Sequence, residues 1–183
     1  MGLTLSCERR PVFYFIGDSI TEHGSDPTKS GFITILQNHY VRSVDCVNRG
    51  LSGYNSKWVL EHGMPIYAKE LQSEYSAAFV TVFLGANDAV LEHGPDKVQY
   101  VSLKDYRANL QKILHTQCVG RQIRQSTYFV DGLHFSEKGN KEVGKLLGVA
   151  INGMFDKEEL DRFNKWQLPD WHDLVPHQDD TQE

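Results

Sequence analysis

Cysteine is scarce in this chain of 183 residues. There are three, Cys7, Cys46 and Cys118, an odd number with no C-x-x-C spacing. That excludes a disulfide framework and a cysteine-based zinc site, and it fits a reducing, cytoplasmic compartment. Positive charge is not in excess either: 19 Lys and Arg stand against 24 Asp and Glu, a net charge of −5, with no basic stripe for nucleic acid. Long apolar runs are missing. The longest, such as Ala77–Ala86, fall well short of the ~20 residues a membrane-spanning helix needs. The start "MGLTLSCERR" has its arginines after a short apolar patch, the wrong order for a secretory leader. No H-E-x-x-H is present, and His23, His62, His93 and His115 have no carboxylate at ligand spacing, so they read as solvated surface histidines and no metal is expected. "VLEHG" occurs at Val59 and Val90, but the flanks differ and no repeat is implied.

What is present suits one globular domain over residues 1–183, with an N-terminal arm (1–10) and an acidic tail (172–183) expected to be disordered. The arm matches M-G-x-x-x-[ST] through Gly2 and Ser6, with Cys7, Arg9 and Arg10 behind it. That is a myristoylation pattern with a second membrane signal, alongside the plain alternative of an ordinary soluble start. "PVFYFIGDS" reads as a buried strand running into a turn. "GFITILQNHYV" has helical spacing at Phe32, Ile35, Leu36 and Tyr40. "VDCVN" reads as a second strand before the Gly-rich loop "RGLSGYNS". "WVLEHGMPIYAKELQSEY" predicts a helix interrupted at Gly63 and Pro65, and "AAFVTVFLGAND" the strongest strand, apolar on both faces. "LKDYRANLQKILHT" predicts an amphipathic helix with Leu103, Tyr106, Leu110, Ile113 and Leu114 on one side. "STYFV" is a candidate last strand, and Ser136 the N-cap of a helix starting at "SEKGNKEV". Alternating strands and helices predict an α/β fold with a parallel sheet.

In such sheets the reactive residues gather beyond the carboxyl ends of the strands. Four candidates fall there: Ser19 in "GDSIT", Gly53 in "NRGLSGYN", Asn87 in "GAND", and the pair Asp131 and His134 in "DGLH". A serine becomes nucleophilic beside a base, and the base needs a carboxylate to fix its tautomer. A developing oxyanion needs donors, which a loop amide and an Asn side chain supply. Each of these has a plainer alternative. Asp18 and Ser19 also suit a helix cap, Gly53 a turn, Asn87 and Asp88 an Asx turn, and a lone D-x-x-H recurs by chance. Tyr54, Asn55 and Trp58 suit pocket lining and helix packing equally. Trp166 and Trp171 read as pins for the C-terminal segment.

The ordered set GDS, N-x-x-x-x-G, G-x-N-D and D-x-x-H resembles the SGNH, or GDSL, hydrolases. The longer stretches "FIGDSIT", "NRGLSGYNSKW", "FLGANDA" and "FVDGLHFSEKGN", with "LPDW" near the C-terminus, are most similar to the isoamyl acetate-hydrolysing esterases. The resemblance implies a three-layer αβα, flavodoxin-like fold. It implies Ser19 as nucleophile, His134 as general base and Asp131 as the orienting acid. The amides of Ser19 and Gly53 and the Asn87 side chain would form the oxyanion hole. The implied reaction is hydrolysis of a small carboxylic ester through an acyl-serine, with neither metal nor cofactor.

The chain departs from that pattern in one place. Between Asn87 and Asp131 the family carries a further strand, helix and strand. A βαβ unit takes about 30 residues or more, and here only "QCVGRQIRQSTYFV" separates the helix from Asp131. The sheet is therefore expected to lack one or two strands. Those fourteen residues still reach about 45 Å when extended, enough to deliver the D-x-x-H loop. Two outcomes are expected to compete: an active esterase, or an impaired isoform that acts by binding or by self-association through the bare edge of the third strand.

Overall fold

The computed structural model describes residues 9–117 and 134–165. Its centre is β1 (Pro11–Gly17), whose seven residues are all buried. Valine, isoleucine and aromatics in one uninterrupted run form a strand covered on both faces. β2 (Asp45–Gly50) and β3 (Ser76–Phe83) pair with it in parallel, in the order β2-β1-β3. The register sets Gly17 opposite both Gly50 and Phe83. All three strands therefore end at one level, and their following loops open side by side.

The helices form two layers. On one face of the sheet Phe13 and Phe15 pack with Phe32, Ile33 and Leu36 of α2 (Phe32–His39) and with Leu147 and Ile151 of α6 (Glu137–Met154). Phe163 of α7 (Lys157–Asn164) closes that core, its ring 5.6 Å from Phe13 in an edge-on contact. On the other face Val12, Tyr14 and Ile16 meet Val59, Met64 and Tyr67 of the helical stretch that begins at α3 (Ser56–Trp58), together with Ile113 of α5 (Leu103–Gln117). The period-two alternation of β1 thus divides its side chains between two helix layers. The short α1 (Ser19–His23) sits at the carboxyl end of β1.

Several sequence expectations change. β3, expected to be the strongest strand and apolar on both faces, is only half-buried; in line with the bare edge expected of it, it pairs on one side alone among the described strands, and β1 takes the central place. Gly63 and Pro65 do not break the helical stretch. α4 (Met64–Lys69) follows α3 through a π-helical turn at Val59–Gly63, and a second such turn spans Glu70–Glu74. The Met64 N–H bonds the Val59 carbonyl five residues back, so the helix widens one residue before the proline that lacks an N–H. On α5, Ile113 is buried but Leu103 is exposed. α7 was not expected at all. Ser136 does cap α6, accepting the Gly139 N–H at 3.1 Å. The predicted strand "STYFV" (126–130), the N-terminal arm, the tail 172–183, Trp166 and Trp171 lie outside the described residues.

Candidate active site

The site begins where β1 turns into α1. Asp18 is the N-cap of α1, its carboxylate accepting the Ile20 N–H at 3.0 Å. The Ala86 amide also donates to it. The cap reading of Asp18 is therefore correct, and it has a consequence. With Asp18 at the cap, Ser19 becomes the first helical residue, buried at the mouth of the sheet. Glycines admit this tight turn. A Cβ on Gly17 would run into Thr21, and one on Gly50 into the backbone of Glu22.

His134 arrives from 115 positions away with Nε2 at 2.8 Å from Ser19 Oγ. Its neighbours in sequence hold it there. Phe135 is buried and stacks on Phe83 at 6.2 Å, and Ser136 starts α6. One turn into α6, the buried Asn140 donates to the Lys29 carbonyl at 3.1 Å, tying the helix to the loop after α1. With the imidazole proton on Nδ1, the Ser19 hydroxyl donates to Nε2, the arrangement a general base requires. Asp131, the acid expected to fix that tautomer, lies outside the described residues.

The two other loops are fastened to the first and to each other. The Leu51 amide donates to the Gly17 carbonyl at 3.0 Å. Asn87 is buried, and its side-chain amide donates to the Tyr54 carbonyl at 2.8 Å. An Asn amide carries two N–H groups, so this bond uses one of them. Gly53 has φ +78°, a conformation that favours glycine. Among the described residues neither the Gly53 nor the Ser19 amide meets an acceptor. The structure thus brings Ser19, Gly53, Asn87 and His134 to one end of the sheet. Burial pushes the Asp18 carboxyl up to about 6, against its two backbone hydrogen bonds and the nearby His134.

Sequence reasoning missed the residues that hold this frame. Asp88 is buried and accepts both the amide of Ser56, at 3.0 Å, and its hydroxyl, at 2.5 Å. Asn109 of α5 donates to the same hydroxyl at 3.0 Å. No local pattern announces a bond across 32 positions. His23 was expected to be a solvated surface residue. Instead it is half-buried, with its ring 4.9 Å from that of His134. It follows Ser19 by four residues, one helical turn on the same face, and that spacing was the available signal. His62, His93 and His115 are exposed, as expected. Among the described residues no group of three or more His, Cys, Asp or Glu is placed to hold a metal ion, and no helix is long and apolar enough to cross a membrane. Gly2 and Cys7 lie outside the described residues.

Comparison with known proteins bears on the same segment. The sequence model of the GDSL-like Lipase/Acylhydrolase family matches residues 15–116. A GDSL esterase/lipase of Arabidopsis thaliana is 41% identical over 109 residues, covering 58% of this chain and 43% of the relative. The isoamyl acetate-hydrolyzing esterase 1 homolog of Rattus norvegicus is 38% identical over 104 residues, covering 57% of this chain and 40% of the relative. The isoamyl acetate-hydrolyzing esterase of Saccharomyces cerevisiae is 35% identical over 111 residues, covering 56% and 42%. The matched part of the chain thus spans less than half the length of each relative. The family match ends at residue 116, before His134.

Proposed function

The chain belongs to the GDSL-like lipase/acylhydrolase family, and from that premise we propose that it is a serine esterase that hydrolyses small carboxylic esters of the acetate type. The observation that carries this reading is the 2.8 Å approach of His134 Nε2 to Ser19 Oγ. Ser19 Oγ attacks the ester carbonyl while His134 takes its proton. The oxyanion that forms is met by the Ser19 and Gly53 amides and by Asn87. Collapse expels the alcohol, which receives the proton from His134, and leaves an acyl group on Ser19. Water, deprotonated by His134, then releases the acid and restores the serine. Asp131, three residues before His134, is assigned to orient the imidazole and stabilise its cation. The acetate preference rests on the names of the rat and yeast relatives.

A second reading is favoured by one observation, the pairing of β3 on a single side among the described strands. It makes this chain an impaired relative that keeps the residues without a stable pocket. Purified protein assayed on short-chain p-nitrophenyl esters separates the two. The esterase reading expects turnover that Ser19→Ala and His134→Ala each nearly abolish, because such groups act as a unit. Turnover unchanged in Ser19→Ala overturns the nucleophile assignment, and an inert, well-folded wild type supports the second reading.

A further inference from the structure

The oxyanion hole of this reading depends on a glycine whose turn is closed by the Tyr54 amide on the Leu51 carbonyl at 3.1 Å and whose own carbonyl is held by one side chain. Gln99 closes a short 3₁₀ turn (Lys97–Gln99) in the loop after β3. Its Nε2 donates to the Gly53 carbonyl at 2.9 Å. The Gln99 carbonyl in turn accepts Nδ2 of the buried Asn55 at 2.8 Å, and Asn55 Oδ1 accepts the Trp58 amide at 2.9 Å. Two successive carbonyls of the Gly53 loop are therefore gripped by side-chain amides from beyond β3: Gly53 by Gln99, and Tyr54 by Asn87. The loop carrying Gln99 is itself fixed, since the Val101 amide donates to the Asp88 carbonyl at 3.1 Å.

We propose that Gln99 is a positioning residue for ester hydrolysis, aiming the Gly53 N–H at the oxyanion by holding the Gly53 carbonyl. The inference rests on the esterase reading above. A glycine at φ +78° has no side chain to restrict it, so its donor direction is set by what grips the adjoining peptide. A donor contributes fully only when it is fixed before charge develops. Gln99 touches no reacting atom. Its effect passes through Gly53, and it is felt in the transition state more than in substrate binding.

The test uses Gln99→Met and Gln99→Glu. Both keep the length and packing of the side chain, and neither carries the amide donor at neutral pH. The expected result with p-nitrophenyl acetate is a fall of about 10- to 100-fold in kcat and kcat/KM together, with KM within about twofold. A trifluoromethyl ketone, which forms the oxyanion on Ser19, should lose affinity by a similar factor. Melting curves check folding, and either variant suffices if the other fails to fold. A merely structural role predicts a lower melting temperature with wild-type kcat in the folded fraction, and that result overturns the proposal. An active wild type with unchanged variants overturns this inference alone. A wild type inert toward the ester and unreactive toward the ketone overturns the esterase reading with it.

Discussion

Replacing Asp88 by alanine tests how the frame of the site is held. Asp88 is 3% exposed, and its carboxylate takes the Ser56 N–H on both oxygens at 3.0 Å and the Ser56 hydroxyl at 2.5 Å. Ser56 is fully buried, so water does not replace the lost acceptor. A hydrogen bond to a charged group contributes about 1.5–3 kcal/mol, and each buried group left unpaired costs about 1–3 kcal/mol. Asn109 still reaches the Ser56 hydroxyl at 3.0 Å, but as a donor it offers no acceptor for either proton. The expected loss is about 3–5 kcal/mol, a large share of the about 5–15 kcal/mol that folded domains possess. For a chain of 183 residues, at about 2–4 °C per kcal/mol, that is a drop of about 6–20 °C in melting temperature. Asp88→Asn keeps an acceptor for the Ser56 amide and should lose about half as much. The assay is urea unfolding followed by circular dichroism at pH 7, with the slopes compared to show that only stability has moved. A loss under about 0.5 kcal/mol in Asp88→Ala would refute the view that this carboxylate pins the Gly53 loop to the loop after β3.

Two further outcomes follow from the structure. Burial raises the Asp18 carboxyl from 3.8 to about 6, so the fold binds its proton more tightly than the unfolded chain does. The associated stability is complete below about pH 4 and is lost as pH rises through about 6. Asp18→Asn keeps a cap acceptor and removes the charge. Its stability relative to wild type should therefore rise between pH 4 and pH 7 by up to about 3 kcal/mol. A difference between the two proteins that does not vary with pH in urea titrations would sink this. β3, paired on one side among the described strands, should promote self-association or hydrophobic-dye binding. A monomer by light scattering that binds no dye would count against it.

The parts of the fold that could be read in the sequence were those written in local patterns. The apolar run of β1 marked a buried strand, and Ser136 announced α6. The N-terminal signal of α7 was equally local but overlooked: Asp156 and Glu159 form a reciprocal capping box. The helical stretch through Pro65 was misjudged because the proline falls in the first turn of α4, where its missing N–H costs little, and the π-helical turn before it is closed by the Met64 N–H instead. β3 reads as apolar on both faces from its composition, while its edge position was legible only in the short segment between α5 and Asp131. In the site, Ser19, Gly53, Asn87 and His134 stood out because their chemistry has a recognisable order along the chain. Asp88, Gln99 and Asn109 did not, since their partners lie 32, 46 and 53 positions away. His23 needed only its distance from Ser19 to be counted in helical turns.

The central claim, that His134 makes Ser19 a nucleophile, is tested most directly by a fluorophosphonate probe followed by peptide mass spectrometry. The account predicts one covalent adduct on the purified wild-type protein, located at Ser19. It should be absent in Ser19→Ala and formed at least about 100-fold more slowly in His134→Ala, at the lower end of what a positioned general base contributes. Labelling of Ser19 at the wild-type rate in His134→Ala, or a folded wild type that takes up no probe, would contradict it.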